Sequence, residues 1–257
     1  MVLASFDAAA ETSVADLVAG VEHAEHQPAG LLPERLQSLA EGDFLVALVS
    51  NPAAVERAVA TFCEARDRGV LNLAFAPGAL QERLAPYSDV LGYWPSAGEP
   101  GSAEGRGDIV ICMDAIAQMM REQGLVCVDY ADVRCILRDG GPCAVVVVSA
   151  DGAGRSRHAV RKFAERCGWL GIGASTYGRA LISVRAGADI SIDEFMAVSD
   201  GLEDVLSGLD VMVAAARSSP ERSALEVAVL LTARPKPARP SPQELVAMVR
   251  RNKARDG

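Results

Sequence analysis

The sequence has little of what marks several large protein classes. It has six cysteines (Cys63, Cys112, Cys127, Cys135, Cys143, Cys167) but no C-x-x-C pair and no histidine at matching spacing, which argues against a zinc module or a redox motif. They read as small hydrophobes in a reducing compartment. No run reaches the roughly 18–20 apolar residues that span a bilayer, and MVLASFDAAAETS lacks a basic start followed by a long apolar stretch. These two features lead us to expect a soluble cytoplasmic protein. Positive charge is also short: 25 basic against 34 acidic side chains give −9, which repels a phosphate backbone and disfavours nucleic acid as a partner. Only three histidines occur, and His23 and His26, without a third ligand, read as solvated side chains, so no metal is expected.

What is present is apolar and strongly patterned. Half of the 257 residues are hydrophobic, enough for one large core or two modest ones. Residues 1–41 are Ala-rich and polar and read as short helices or a loose extension. FLVALVS (44–50) is a continuous apolar run of the kind that strands buried on both faces require. Asn51 and Pro52 then supply an N-cap and a first helical residue, and Val55, Val59, Phe62 and Cys63 recur at helical spacing. Gly69 ends that helix and VLNLAFA (70–76) is the next strand, so 44–76 form a βαβ unit and imply a parallel sheet. PSAGEPGSAEGRG (95–107) reads as a mobile connection and hinge, followed by a helix over 108–124 that is apolar almost all round.

Beyond residue 124 strands and helices alternate. Strands at 143–150, 179–187, 209–217 and 225–233 enclose two long helices, the second opened by the capping box Ser191 and Glu194. Such a set predicts a two-layer α/β sandwich with helices on one face of a mixed sheet. ARPKPARPSP then reads as an extended linker. After it comes a short helix in which Leu245, Val246, Met248 and Val249 form an apolar face beside Arg250 and Arg251. Residues 233–257 carry seven basic and two acidic side chains, so this tail is +5 and the remainder −14. GWLGIGAST (168–176) contains G-x-x-G-x-G, but it follows a helix and precedes a strand, the reverse of a dinucleotide fingerprint, and reads as a loop. Trp94 and Trp169 read either as interface anchors or as half-buried core residues.

GLVCVDYADVRCIL (124–137) combines a helix exit, two aspartates three apart and a new helix. It resembles the synergy loop of the tubulin/FtsZ family, patterned G-L-x-N-x-D-F-A-D-V-[RK]. Gly124, Leu125, Asp129, Ala131, Asp132, Val133 and Arg134 match, Tyr130 stands for Phe, and Cys127 stands where the family has Asn. The likeness covers roughly 42–233. It implies an α/β fold made of a truncated Rossmann-like nucleotide-domain remnant (42–123) and the family's C-terminal two-layer sandwich (124–233), flanked by an N-terminal extension (1–41) and a basic linker and tail (234–257).

The resemblance also implies roles. Asp129 and Asp132 would act in trans, entering a neighbour's nucleotide pocket to orient the attacking water, with Cys127, Tyr130 and Arg134 at the same junction. The residues alone also support a plainer reading, in which Asp132 caps a helix and Asp129 is a solvated turn residue. The family's GGGTGTG phosphate loop is replaced here by SNPAAVER, in which Pro52 removes a donor and Glu56 brings a negative charge to the turn. No nucleotide cofactor is therefore expected. The first βα units of the family also look absent, since only 43 residues precede Phe44.

The expectation is a non-hydrolysing protein that caps or modulates FtsZ-type filaments, at the division site, with FtsZ, another tubulin-family protein or a second copy as partner. Two alternatives stand beside it. One is an adaptor or membrane tether working through the tail (Leu245, Val246, Met248, Val249, Arg250, Arg251) on an anionic surface; the other is a residual GTPase.

Overall fold

The structure is a computed structural model and describes residues 2–5, 25–27, 33–95, 99–121, 124–172, 176–219 and 222–234. The tail residues singled out above lie outside the described residues. Among those described, nine strands form one sheet in the order β2-β1-β3-β4-β5-β6-β9-β7-β8. The strands are β1 (Val2–Ser5), β2 (Glu25–Gln27), β3 (Phe44–Leu48), β4 (Leu71–Ala76), β5 (Val90–Tyr93), β6 (Gly141–Ala150), β7 (Tyr177–Ala186), β8 (Val211–Ser218) and β9 (Leu225–Ala233). All pairings from β2 through β6 are parallel; β9 runs antiparallel to both β6 and β7, and β7 pairs β8 in parallel.

The βαβ unit expected over 44–76 is present. β3 and β4 are buried at every position, and α2 (Pro52–Asp67) connects them, presenting Ala54, Val55, Ala58, Phe62 and Ala65 to the sheet. Gly69, at φ 77°, makes the left-handed turn that ends α2, a conformation costly for a residue with a Cβ. Buried Asn72 donates its Nδ2–H to Phe62 O at 2.9 Å and its N–H to Asp89 Oδ2 at 2.9 Å, which ties β4 to α2 and to the entry of β5. α1 (Pro33–Ser38) and α3 (Gly78–Leu84) complete this layer, with Leu36, Leu80 and Leu84 packed among Leu45, Ala47 and Ala74.

The opposite face is covered by α4 (Ser102–Arg121) and α5 (Tyr130–Leu137). Ile109, Val110, Met113 and Ile116 of α4 pack with Val46, Leu48 and Phe75 from one half of the sheet and with Val147, Leu181 and Leu230 from the other. α6 (Arg155–Trp169) and α7 (Ile192–Val205) lie over β6 to β9 on the remaining face, where Phe163, Phe195, Val198 and Leu202 meet Val146, Ile182 and Val229.

Four expectations need correction. Residues 1–41 are not a loose extension throughout, because β1 and β2 add two parallel strands beside β3. The parallel part of the sheet is larger than the sequence suggested, since strands of four and three residues carry too short a pattern to be read without their partner. The second half of the connection over 95–107 is helix: α4 begins at Ser102 and takes in Gly105 and Gly107, because burial between two layers outweighs their poor helix propensity. Finally, the C-terminal sheet is covered on both faces, its second cover being α4 and α5. Cysteine burial is mixed as well, with Cys63, Cys127 and Cys135 exposed.

Candidate functional site: an acidic loop and a phosphate turn at opposite ends of the sheet

The loop leading into α5 is held against β8. Val126 and Ala216 exchange two backbone hydrogen bonds at 3.2 Å, and a Cβ on Gly124 would stand 2.3 Å from Ala216 O. Glycine is thus required there by close approach. Asp129 is the N-cap of α5, and its Oδ1 accepts from Asp132 N–H at 2.9 Å, while Asp132 Oδ2 accepts from Asp129 N–H at 3.3 Å. The plainer reading is right that an aspartate caps the helix but has the residue reversed: Asp129, not Asp132, is the N-cap, and Asp132 sits at the third helical position and completes a reciprocal capping box. Both carboxylates remain solvent-exposed and retain free lone pairs.

The neighbouring side chains divide. Tyr130 turns inward onto Phe44, ring centroids 6.3 Å apart, and is half-buried. Arg134 reaches Glu41 at 3.0 Å on the surface. Cys127 is exposed, its Sγ 3.6 Å from Gly124 O. Cys127, Asp129 and Asp132 are therefore exposed, Arg134 is half-exposed and turned toward Glu41, and Tyr130 fixes the start of α5 to the core.

The phosphate turn is built for closure. Asn51 caps α2 by accepting from Ala54 N–H with Oδ1 at 3.1 Å, and Pro52 has no N–H. Of the first three helical residues only Ala53 keeps an amide to offer an anion. Glu56 does not face the turn as the sequence suggested. It is exposed and accepts from Arg83 Nη2 at 2.6 Å, so its charge is engaged by α3. The poverty of the turn rests on Pro52 and Asn51.

The two features lie at opposite ends of the sheet. Tyr130 packs on Phe44, which opens β3, whereas Asn51 follows the other end of that strand, about 20 Å further on at the usual rise per residue. The aspartates therefore cannot reach their own chain's turn.

Two ion-pair systems escaped the sequence reading. Arg185 of β7, 2% exposed, binds Asp114 of α4 at 2.8 Å and Glu226 of β9, and Arg222 joins Glu226 at 2.8 Å. Arg166 of α6 bridges Asp108 at 2.6 Å and Glu104, both on α4. A charged residue inside three elements otherwise read as fully apolar was the available signal. Burial on α4 pushes the Asp108 carboxyl up to about 6, against the pull of Arg166 and with the repulsion of Glu104 and Glu226. Among the described residues no group of histidines, cysteines or carboxylates is arranged to hold a metal, and no helix is long and apolar enough to cross a membrane.

No protein-family profile matches the chain. It is 30% identical over 89 residues to the cell division protein FtsZ of Haloferax mediterranei and 30% identical over 95 residues to cell division protein FtsZ 1 of Archaeoglobus fulgidus. These stretches cover 35% and 37% of this chain but only 23% and 25% of the curated relatives. Among solved structures, an FtsZ dimer from M. jannaschii superimposes with a TM-score of 0.71 at 16% identity, over 90% of this chain and 87% of that one. CetZ from Methanosaeta thermophila follows with 0.61 at 14% identity, over 98% and 90%. CetZ2 from Haloferax volcanii, in a GTPγS-bound protofilament, gives 0.54 at 18% over 96% and 78%. The chain thus shares the fold of these FtsZ and CetZ structures and, over about a third of its length, local sequence identity with FtsZ.

Proposed function

We propose that this protein is a tubulin-family cytoskeletal component that does not hold GTP itself and modulates or caps FtsZ-type filaments through the face bearing Asp129, Asp132, Cys127 and Arg134. The observation that carries this reading is the start of α2, where Asn51 occupies one amide and Pro52 removes another. A triphosphate needs several converging N–H donors, and one does not grip it. The segment after β1, FDAAAETS (6–13), contains no glycine either, so the sequence offers no second glycine-rich cradle there. By contrast the acidic face is intact and exposed. A subunit with one working end joins a filament at that end and offers no nucleotide to the next subunit, so it shortens polymers and is not itself a GTPase.

Sedimentation of a cognate FtsZ with GTP, with and without this protein, tests the reading. Polymer mass or filament length falls at substoichiometric amounts, and the variant Asp129→Lys/Asp132→Lys loses the effect. Unchanged polymer at equimolar ratio removes the proposal.

A second reading rests on the charge segregation between a +5 tail and a −14 body. The tail would rest on an anionic membrane, at about 1 kcal/mol per basic residue near the headgroups. Flotation with vesicles of anionic phospholipid tests this, and Arg250→Glu/Arg251→Glu should abolish any co-flotation.

A further inference from the structure

Six large hydrophobic side chains are exposed among the described residues, and three of them lie on one groove. Trp169 is 82% exposed, Leu170 55% and Tyr93 48%, and they line a groove of about 470 Å³ whose floor includes Phe75 and Ile109 and whose wall includes Tyr177. The groove opens where β5 and β6 part. These strands pair only at Val90–Gly141 and Leu91–Pro142, after which β5 turns away toward α4 while β6 continues beneath the end of α6. A tryptophan left largely in water beside other apolar groups marks a surface that is covered in use. The other tryptophan, Trp94, is fully buried, so the two serve different ends.

The place where the chain leaves the sheet identifies the cover. Ala233, the last residue of β9, pairs with Tyr177, itself a wall of the groove, and Arg234 is anchored to Asp210 at 2.9 Å. Residues 235–240 lead from there to Ser241, and six extended residues reach about 20 Å, enough to return to a groove that begins next to the exit point. The segment they deliver spaces Leu245, Val246, Met248 and Val249 at i, i+1, i+3 and i+4, one apolar face if helical, followed by Arg250, Arg251 and Lys253. Charge favours the same arrangement: the tail is +5 against a body of −14, and Glu99 and Glu104 stand on the rim, Glu104 already paired with Arg166 and Glu99 bonded to Tyr93 Oη.

We propose that residues 242–251 of the chain's own tail dock in this groove and cover Trp169, Leu170 and Tyr93. Docking in cis keeps the basic segment of the tail off other anionic surfaces until a competitor for the groove, or for the tail, releases it. The assignment is independent of whether the protein caps filaments.

Acrylamide quenching of tryptophan fluorescence in the full-length chain tests it, because buried Trp94 contributes a constant protected fraction and Trp169 supplies the change. With the tail docked, Trp169 is shielded, and the tail variant Leu245→Asp/Val249→Asp raises its quenching several-fold at every protein concentration. Full quenching of Trp169 in the unmodified chain overturns the proposal. So does shielding that the tail variant leaves unchanged, and so does shielding that grows with protein concentration, which would place a second copy in the groove.

Discussion

Asp108 gives up its proton at a higher pH than an ordinary carboxyl. Its ordinary value of 3.8 rises to about 6, chiefly because α4 carries it under the sheet and away from water. The folded state thus holds this proton to higher pH than the unfolded chain does, so stability falls as pH rises from about 4 to 6 and is level beyond that. Urea midpoints measured across that window should show the decline, and Asp108→Asn, which still offers Arg166 an acceptor, should flatten it. Arg185 presents the opposite case, a buried cation between two carboxylates. Removing it leaves the buried Asp114 with only Gln118 and Glu226 with only Arg222, and Arg185→Ala should lower unfolding free energy by about 3 kcal/mol in urea titration. Neither pair was legible in the sequence. The partners stand 71 and 41 residues apart, and no local spacing connects them. Only the oddity of a charge inside an apolar strand hinted at Arg185.

At the scale of elements, the start of α5 is where capping and the proposed partner contact meet. The capping box that starts the helix uses one oxygen from each aspartate, so the cap does not occupy the other. Asp129→Ala should therefore cost about 1 kcal/mol of stability through the lost cap, measurable by thermal or urea unfolding. Asp129→Asn should keep most of that stability and still weaken any action on filaments, since an amide caps a helix but lacks the charge. A filament effect that tracks stability alone across these two variants would assign the aspartates to capping only. The helix was legible from the sequence because two aspartates three apart mark its start, but its cap was read at Asp132, where the structure has Asp129. α4 was read six residues short for the converse reason: Gly105 and Gly107 argue locally for a loop, and only packing between two halves of the sheet makes them helical. Glu56 misled in a third way, since a charge close in sequence to the phosphate turn is claimed by Arg83 on the next helix.

Across the whole molecule, a single sheet carries a blocked phosphate turn at one end and an exposed acidic loop at the other. On the proposed function, that polarity leaves one end to meet a nucleotide-bearing subunit and the other with no nucleotide to present. The parallel half was legible from apolar runs such as Phe44–Leu48. β1 and β2 were not, since strands of four and three residues acquire meaning only beside β3. The most direct measurement is a titration of the purified chain with a fluorescent GTP analogue in the presence of Mg²⁺. We predict no saturable signal and no nucleotide released on denaturing the protein. Saturable binding displaced by unlabelled GTP would contradict the account, because it would mean that a turn closed by Asn51 and Pro52 still gathers the donors a triphosphate needs.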